Sequence, residues 1–290
     1  MSLFFQFILV GVGMGSVYAL MSLGFSLVFK ETGVINFAQG EFAMVAAMVY
    51  WMLQSRGWNA VVAILTAIIV AALLGAAVSR FVMYYVHGAS IITLIFITLG
   101  LDTALRGMGT LLWGTNPMPV NPLSKNTIIH IGGAVLSSDY LWVFGAIVVV
   151  GLGIYLLLDH TYLGRSMAAA MDNPLAARLY GMNPLRFGLY IWVLAAVIGA
   201  VGGIVLAPIT TANANMGLNL GLNGFVGAII GGIDSLPGAA LGGLVLGIVE
   251  SLASGYIASN WAQGVAFLIL LILLIKRPQG LLGTRNVKRV

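Results

Sequence analysis

The stretch FGLYIWVLAAVIGAVGGIVLAPITTANANMGLNLGLNGFVGAIIGGI, residues 187–233, runs for 47 residues without a charged side chain. A bilayer core about 30 Å thick is crossed by roughly 20 apolar helical residues. The stretch therefore holds one full span and a second, shorter element. Its apolar residues do not alternate with polar ones in segments of about ten, as barrel strands require. The elements are helices.

Further charge-free runs cover 1–29, 57–79, 81–101, 140–158 and 251–275. Segments 34–53 and 91–113 are apolar apart from Glu41 in the first and Asp102 with Arg106 in the second. The expected fold is an all-α integral membrane protein of about eight transmembrane helices, with a re-entrant or broken-helix hairpin near 224–253. Composition agrees: 60% of the 290 residues are hydrophobic and 7% are charged, against about 25% charged in an ordinary soluble domain. So few charges exclude a soluble enzyme, a disordered chain and a nucleic-acid binder. The net charge of +5 does not mark a basic binding face, because Lys276, Arg277, Arg285, Lys288 and Arg289 all follow the last apolar run. No Lys or Arg precedes Lys30, so the first run reads as a retained span rather than a cleaved signal.

Lys and Arg placement orients the chain. The basic tail 276–290 and the loop 159–187, with Arg165, Arg178 and Arg186, are expected on the cytoplasmic side. The connection 114–139, with Pro117, Pro119 and Pro122, is expected as an ordered outer loop. The 38 glycines include five pairs at four-residue spacing: Gly11/Gly15, Gly199/Gly203, Gly217/Gly221, Gly227/Gly231 and Gly243/Gly247. Such pairs share a helix face and let backbones approach closely, which compensates for the missing hydrophobic drive in lipid.

Three places carry candidate chemistry. Asn36, Gln39 and Glu41 stand at the start of an apolar span, with Gly33 and Gly40 to loosen the backbone. They read either as a capped helix start, where the macrodipole favours Glu41, or as the polar lining of a pathway. The stretch Gly231-Gly232-Ile233-Asp234-Ser235-Leu236-Pro237-Gly238 separates two short apolar segments, 223–230 and 239–249. It reads as a turn capped by Asp234-Ser235, or as the interruption that marks a transporter's binding region. Asn219 and Asn223 precede it as further polar candidates. Asp102 and Arg106, four apart, are expected to pair on one helical face.

The third place is the 159–187 loop. Its alanine run favours helix, Asp172-Asn173-Pro174 is a helix start and Gly181 a stop. Two short helices outside the bilayer result, with Leu175, Leu179 and Met171 suited to docking in a groove or resting on lipid. No cysteine exists for disulfides or thiolate metal sites, and His87, His130 and His160 lack ligand spacing. No phosphate-binding loop surrounds any of the four lysines.

The stretches Tyr18-Ala19-Leu20 through Asn36-Phe37-Ala38-Gln39-Gly40-Glu41, Gly164-Arg165 to Gly181-Met182, and Ile229 through Gly247 resemble the permease subunits of branched-chain amino-acid ABC importers, essentially end to end. The short chain and its Asn-Phe-Ala-Gln-Gly-Glu start are similar to the first of that family's two paralogous permeases. The resemblance implies a bacterial inner-membrane permease domain spanning 1–290. It implies a second permease, two cytoplasmic ATPases that bind the ATP, an external solute-binding protein, and no cofactor in this chain. The 159–187 loop becomes the coupling segment, with Arg165, Ala169, Asp172, Ala176, Ala177 and Gly181 matching the family pattern and Asn173 and Arg178 beside them. Asn36, Gln39, Glu41, Asn219, Asn223 and Asp234 become candidates for the substrate pathway, although Asp234 stands where many relatives have a small residue. The alternatives are an ion-gradient-driven secondary transporter, and a relative importing urea, amides or aromatic acids.

Overall fold

A computed structural model describes residues 2–86, 89–124, 127–131, 133–172, 174–179 and 184–283. Eleven α-helices appear among them: α1 Ser2–Thr32, α2 Gln39–Ser55, α3 Ala60–Val78, α4 Ile91–Trp113, α5 Asp139–His160, α6 Tyr162–Asp172, α7 Pro174–Leu179, α8 Pro184–Leu206, α9 Met216–Gly231, α10 Leu236–Tyr256 and α11 Ala262–Lys276. One small antiparallel pair, β1 Ile128–Ile131 and β2 Ala134–Ser137, sits in the 114–139 connection. Seven of the described helices are long and apolar enough to cross a membrane, and α9 is a shorter apolar one. The multi-pass helical architecture matches the expectation. The 187–233 stretch divides as its length dictated, into α8 and the shorter α9.

The core is built on α1, with α8, α9 and α10 around it. α1 and α10 run antiparallel and close: a methyl on Gly11 would lie 2.7 Å from Ile248 Cα, and one on Gly15 2.7 Å from the Leu244 carbonyl oxygen. α9 joins the seam where a methyl on Gly227 would lie 2.8 Å from Gly243 Cα. Ser22 Oγ donates across to the Gly224 carbonyl at 2.7 Å. Gly199 and Gly203 face α2, while Gly217 faces Glu41 and Gly221 meets Gly40 at an ordinary 3.6 Å. All five spaced pairs thus lie on helix contacts.

Two ends of the bundle can be told apart by what meets there. At one, Gln6 exchanges two 2.6 Å hydrogen bonds with the Val135 backbone. At the same end the Asn121 amide donates to Gln54 Oε1 at 3.1 Å, and Met118 and Ala212 form a backbone bridge. At the other end α9 stops at Gly232, whose φ of +105° suits glycine. The Leu281 and Leu282 amides donate to the Ile230 and Gly231 carbonyls, each at 2.8 Å. These carbonyls belong to a helix C-terminus and would otherwise be orphans, so the segment after α11 straps the α9–α10 turn.

The turn itself falls where glycine and proline placed it, and Ser235 caps α10 by accepting from the Gly238 amide at 3.2 Å. The second arm is longer than segment 239–249 suggested. Pro237 lies in the first turn of α10, where its missing N–H costs nothing, and the helix continues past Glu250 to Tyr256. Replacing both Leu281 and Leu282 by proline removes the two strap donors, each worth about 0.5–1.5 kcal/mol. Protease cleavage within 277–283 should accelerate severalfold with the bundle intact. Unchanged cleavage kinetics would show that the strap is held by other contacts.

Candidate functional site

The break between α1 and α2 is made by local signals. Gly33 adopts φ +68° and closes α1 with its amide on the Phe29 carbonyl at 2.8 Å. Asn36 Oδ1 accepts from the Ala38 amide at 3.1 Å, an Asx turn, and the Gln39 amide returns to the Asn36 carbonyl at 3.1 Å. Irregular backbone at membrane depth is tolerated only inside protein or along a cavity. Here it is inside protein: Asn36 is 1% exposed, and Gln39 and Glu41 are 0% exposed. Phe37 anchors the break to α9 through Phe225, ring centroids 5.7 Å apart.

This burial removes the reading of Glu41 as an interfacial capping residue. Ala38 precedes α2 without any side-chain cap, and neither Glu41 oxygen has a hydrogen-bond partner. Glu41 Oε1 lies 4.0 Å from Arg106 Nε, and Arg106 pairs tightly with Asp102. The expected Asp102–Arg106 pair therefore exists, and one guanidinium serves two carboxylates. Gly217 leaves the room: a methyl there would lie 2.6 Å from Glu41 Oε1. Gln39 Nε2 donates to the Ala195 carbonyl at 2.9 Å, while Gln39 Oε1, Asn36 Nδ2 and Trp192 Nε1 are buried without partners.

The other pathway candidates do not gather here. Asn223, 7% exposed, faces the Tyr18 hydroxyl together with Glu250. Asn219 is exposed. Asp234 lies in the α9–α10 turn beside Gly283, and α9 alone runs roughly 20 Å between Gly217 and Gly231 at 1.5 Å per residue. Sequence reasoning missed Trp192, the room that Gly217 leaves for Glu41 and the reach of Arg106 to Glu41, since each depends on a neighbour distant in sequence. The one available signal was an indole N–H inside a long charge-free span.

At the strap end, α6 and α7 form the two short helices expected for the 159–187 loop, with Pro174 opening α7. Arg165 and Ala169 are exposed, Ala176 is half-buried and Ala177 is buried. Leu175 is 71% and Leu179 83% exposed, on one face of α7. Asn173, Gly181, His87 and the basic residues Arg285, Lys288 and Arg289 lie outside the described residues, as do the side chains of Asp172 and Arg178.

A family model described as the permease component of branched-chain amino acid transport systems matches residues 7–274. The high-affinity branched-chain amino acid transport system permease protein LivH of Escherichia coli K12 is 28% identical, over 99% of this chain and 98% of its own. BraD of Pseudomonas aeruginosa, named for the same system, is 27% identical over 97% and 96%. The ribose import permease protein RbsC of E. coli K12 is 26% identical over 90% of this chain and 81% of its own. In fold, the chain resembles a solved structure of PsaBC from Streptococcus pneumoniae in complex with Fab, with TM-score 0.55, 15% identity, and 94% and 93% of the two chains covered.

Proposed function

This chain belongs to the branched-chain amino acid transport permease family, and from that premise we propose that it is the membrane permease subunit of an ATP-binding-cassette importer carrying branched-chain amino acids inward. It is a transport subunit that contributes no nucleotide-binding or catalytic motif of its own. Its partners are two cytoplasmic ATPases, a second and paralogous permease, and an external solute-binding protein. The bilayer is a bacterial inner membrane, with the C-terminus and 159–187 cytoplasmic and 114–139 outside. Supporting that orientation, the strap after α11, which follows the basic residues Lys276 and Arg277, lies at the α9–α10 turn, the opposite end from the β1–β2 connection.

One observation carries the pathway assignment. Asn36, Gln39 and Glu41 sit at a helix break, wholly buried, with Asn36 Nδ2 and Gln39 Oε1 lacking hydrogen-bond partners and Glu41 facing Arg106 at 4.0 Å. A purely structural core satisfies such groups; a core that meets a polar passenger leaves capacity free. An amino acid presents a carboxylate, an ammonium group and an aliphatic chain, and the break offers N–H donors, amide and carboxylate acceptors, and apolar walls.

The experiment is co-purification followed by reconstituted uptake. Tagged protein should bring down an ATPase and a second permease, and proteoliposomes should take up leucine only with ATP and the solute-binding protein. The carboxylates Glu41 and Asp102 also suit an ion-coupled carrier. Uptake driven by an ion gradient without any ATPase would establish that reading instead. Substituting both exposed leucines, Leu175→Asp and Leu179→Asp, should abolish ATPase recovery and reduce uptake to background while the bundle stays folded. Undiminished ATPase recovery would remove α7 from the coupling role.

A further inference from the structure

Two acids and one base meet where α4 joins α2. Glu41 is 0% and Asp102 6% exposed. Arg106 pairs tightly with Asp102 and stands 4.0 Å from Glu41 Oε1, and the two carboxyl groups lie within hydrogen-bonding reach of each other. Among the described residues no donor reaches either Glu41 oxygen. With both carboxyls ionised, the cluster carries one negative charge more than its guanidinium offsets. The helices packed on α2 bring no second cation: α3 and α9 contain no charged residue, nor does α8 beyond Arg186, and α9 presents Gly217. On α1, Tyr18 faces Asn223 and Glu250, and Lys30 is exposed at the last turn. Tyr190 of α8 is exposed, and Tyr50 of α2 itself accepts from Gln54 at 2.6 Å.

We infer that Glu41 and Asp102 hold one proton between them, Glu41 as the acid donating its O–H to the Asp102 carboxylate, so that the cluster with Arg106 is neutral and closes the joint between α2 and α4. The inference goes beyond the importer reading and does not depend on it. Two carboxyl groups that share a buried site do not both ionise, and a buried charge left without a partner is neutralised by a proton. The proton turns a repulsive contact into a hydrogen bond and gives the buried Glu41 carboxyl its missing partner. It resides on Glu41 because the guanidinium is committed to Asp102.

The ligand is a proton and not a metal ion. No group of three acidic or histidine side chains forms a metal site among the described residues, and Arg106 already places a cation there that repels a second. The site governs a joint with little else to hold it. α4 touches the rest of the bundle chiefly at α2, where a methyl on Gly109 would lie 2.9 Å from Met44 Cε, and Thr98 Oγ1 donates to the Ile35 carbonyl at 3.3 Å. Losing the proton sets two negative charges against one positive in a dry contact, and α4 is pushed from α2. Regaining it closes the joint. The pair is a proton-operated latch on α4.

The test reads the proton directly. The full chain, with whatever subunits accompany it, is held in an alkyl maltoside, which has no carbonyl group. Its infrared carboxylic-acid band is recorded at about pH 8, where ordinary Asp and Glu side chains are ionised. The band should shift on exchange into D2O. Glu41→Gln, which keeps the shape of the acid and its donor to Asp102, should remove one carboxyl's intensity. Asp102→Asn should remove it too, because Glu41 then becomes the carboxylate partner of Arg106. The loss should be the same in a Glu250→Gln background. The latch is followed in the cysteine-free chain by methanethiosulfonate labelling of Met44→Cys at the joint, relative to Ser55→Cys, exposed at the end of α2. That ratio should rise severalfold wherever alkaline titration removes the band, hold wherever the band persists, and stay flat with pH in Glu41→Gln.

A spectrum without any Glu41-dependent acid band would overturn the inference. So would a band indifferent to Asp102→Asn, which would leave the proton on Glu41 alone, or one that appears only when choline replaces sodium, which would mark a metal-cation site. A labelling ratio that moves independently of the band would remove the latch. The spectra need neither ATP nor transport, so failure of the importer reading shows separately, as missing ATPase recovery or missing ATP-dependent uptake.

Discussion

Arg106→Met is expected to destabilise the folded protein by about 3–5 kcal/mol, the usual cost of removing one partner from a buried charge pair. The guanidinium pairs with two carboxylates from different helices, Asp102 on its own α4 and, at 4.0 Å, Glu41 on α2. Glu41 is fully buried and Asp102 nearly so. Methionine fills much of the same volume, so the loss is one of charge compensation rather than packing. The variant should purify in low yield, with its thermal transition in detergent sharply lowered. Neutralising both carboxylates as well, in Glu41→Gln with Asp102→Asn and Arg106→Met, should recover most of that stability, because ionic groups replaced together by isosteres are often close to neutral. Wild-type stability in the single variant would mean that the three charges do not act as a unit. The triple variant also separates fold from function: if Glu41 lines the pathway, it should fold yet transport poorly.

Gly243→Val is expected to be comparably severe for a different reason. A methyl at position 243 would lie within 2.7 Å of the Tyr18 carbonyl carbon, so the obstacle is helix backbone rather than a side chain that can rotate away. Gly227 on α9 presses on Gly243 from another side, and α10 cannot withdraw from one neighbour without meeting the other. Forcing extra carbon into a packed contact typically costs about 1–3 kcal/mol, more where the surroundings cannot shift. The seam should open, and the thermal transition in detergent should fall sharply below that of the wild type. Gly100→Ala and Gly107→Ala make the contrast. Nothing lies within 4 Å of a methyl at either position, and alanine in a helix is favoured over glycine by roughly 0.5–1 kcal/mol. These should be neutral or mildly stabilising. Equal damage at positions 243 and 107 would show that glycine acts here through helix flexibility rather than close packing.

The contrast shows how much of the seam was legible. Four-residue spacing picked out Gly243/Gly247 and Gly11/Gly15 as interface faces, and they are. Spacing alone did not say that Gly11 would meet Ile248 and Gly15 Leu244, since any two small stripes are interchangeable until the helices are placed. At the candidate site, Asn36, Gln39 and Glu41 were readable because three polar groups in an apolar run have few explanations. Asn219 and Asp234 had the same credentials and ended elsewhere, one exposed and one at the end of the bundle. Polarity marks a residue as needing a partner without naming which one.

Composition and run length alone determined that this is a helical membrane protein, because the bilayer accepts only segments that satisfy their own backbone over its thickness. Local chemistry determined where the helices begin and end: Gly33 closes α1, Pro174 opens α7 and Ser235 caps α10, each through atoms a few residues away. Only the tertiary structure decided that Arg106 reaches Glu41, that Trp192 shares a cavity with Asn36, and that Leu281 and Leu282 cover the end of α9. Lipid solvates one apolar helix face as well as another, so pairing is left to shape and to hydrogen bonds between residues far apart in the chain, and those exist only once the bundle has closed.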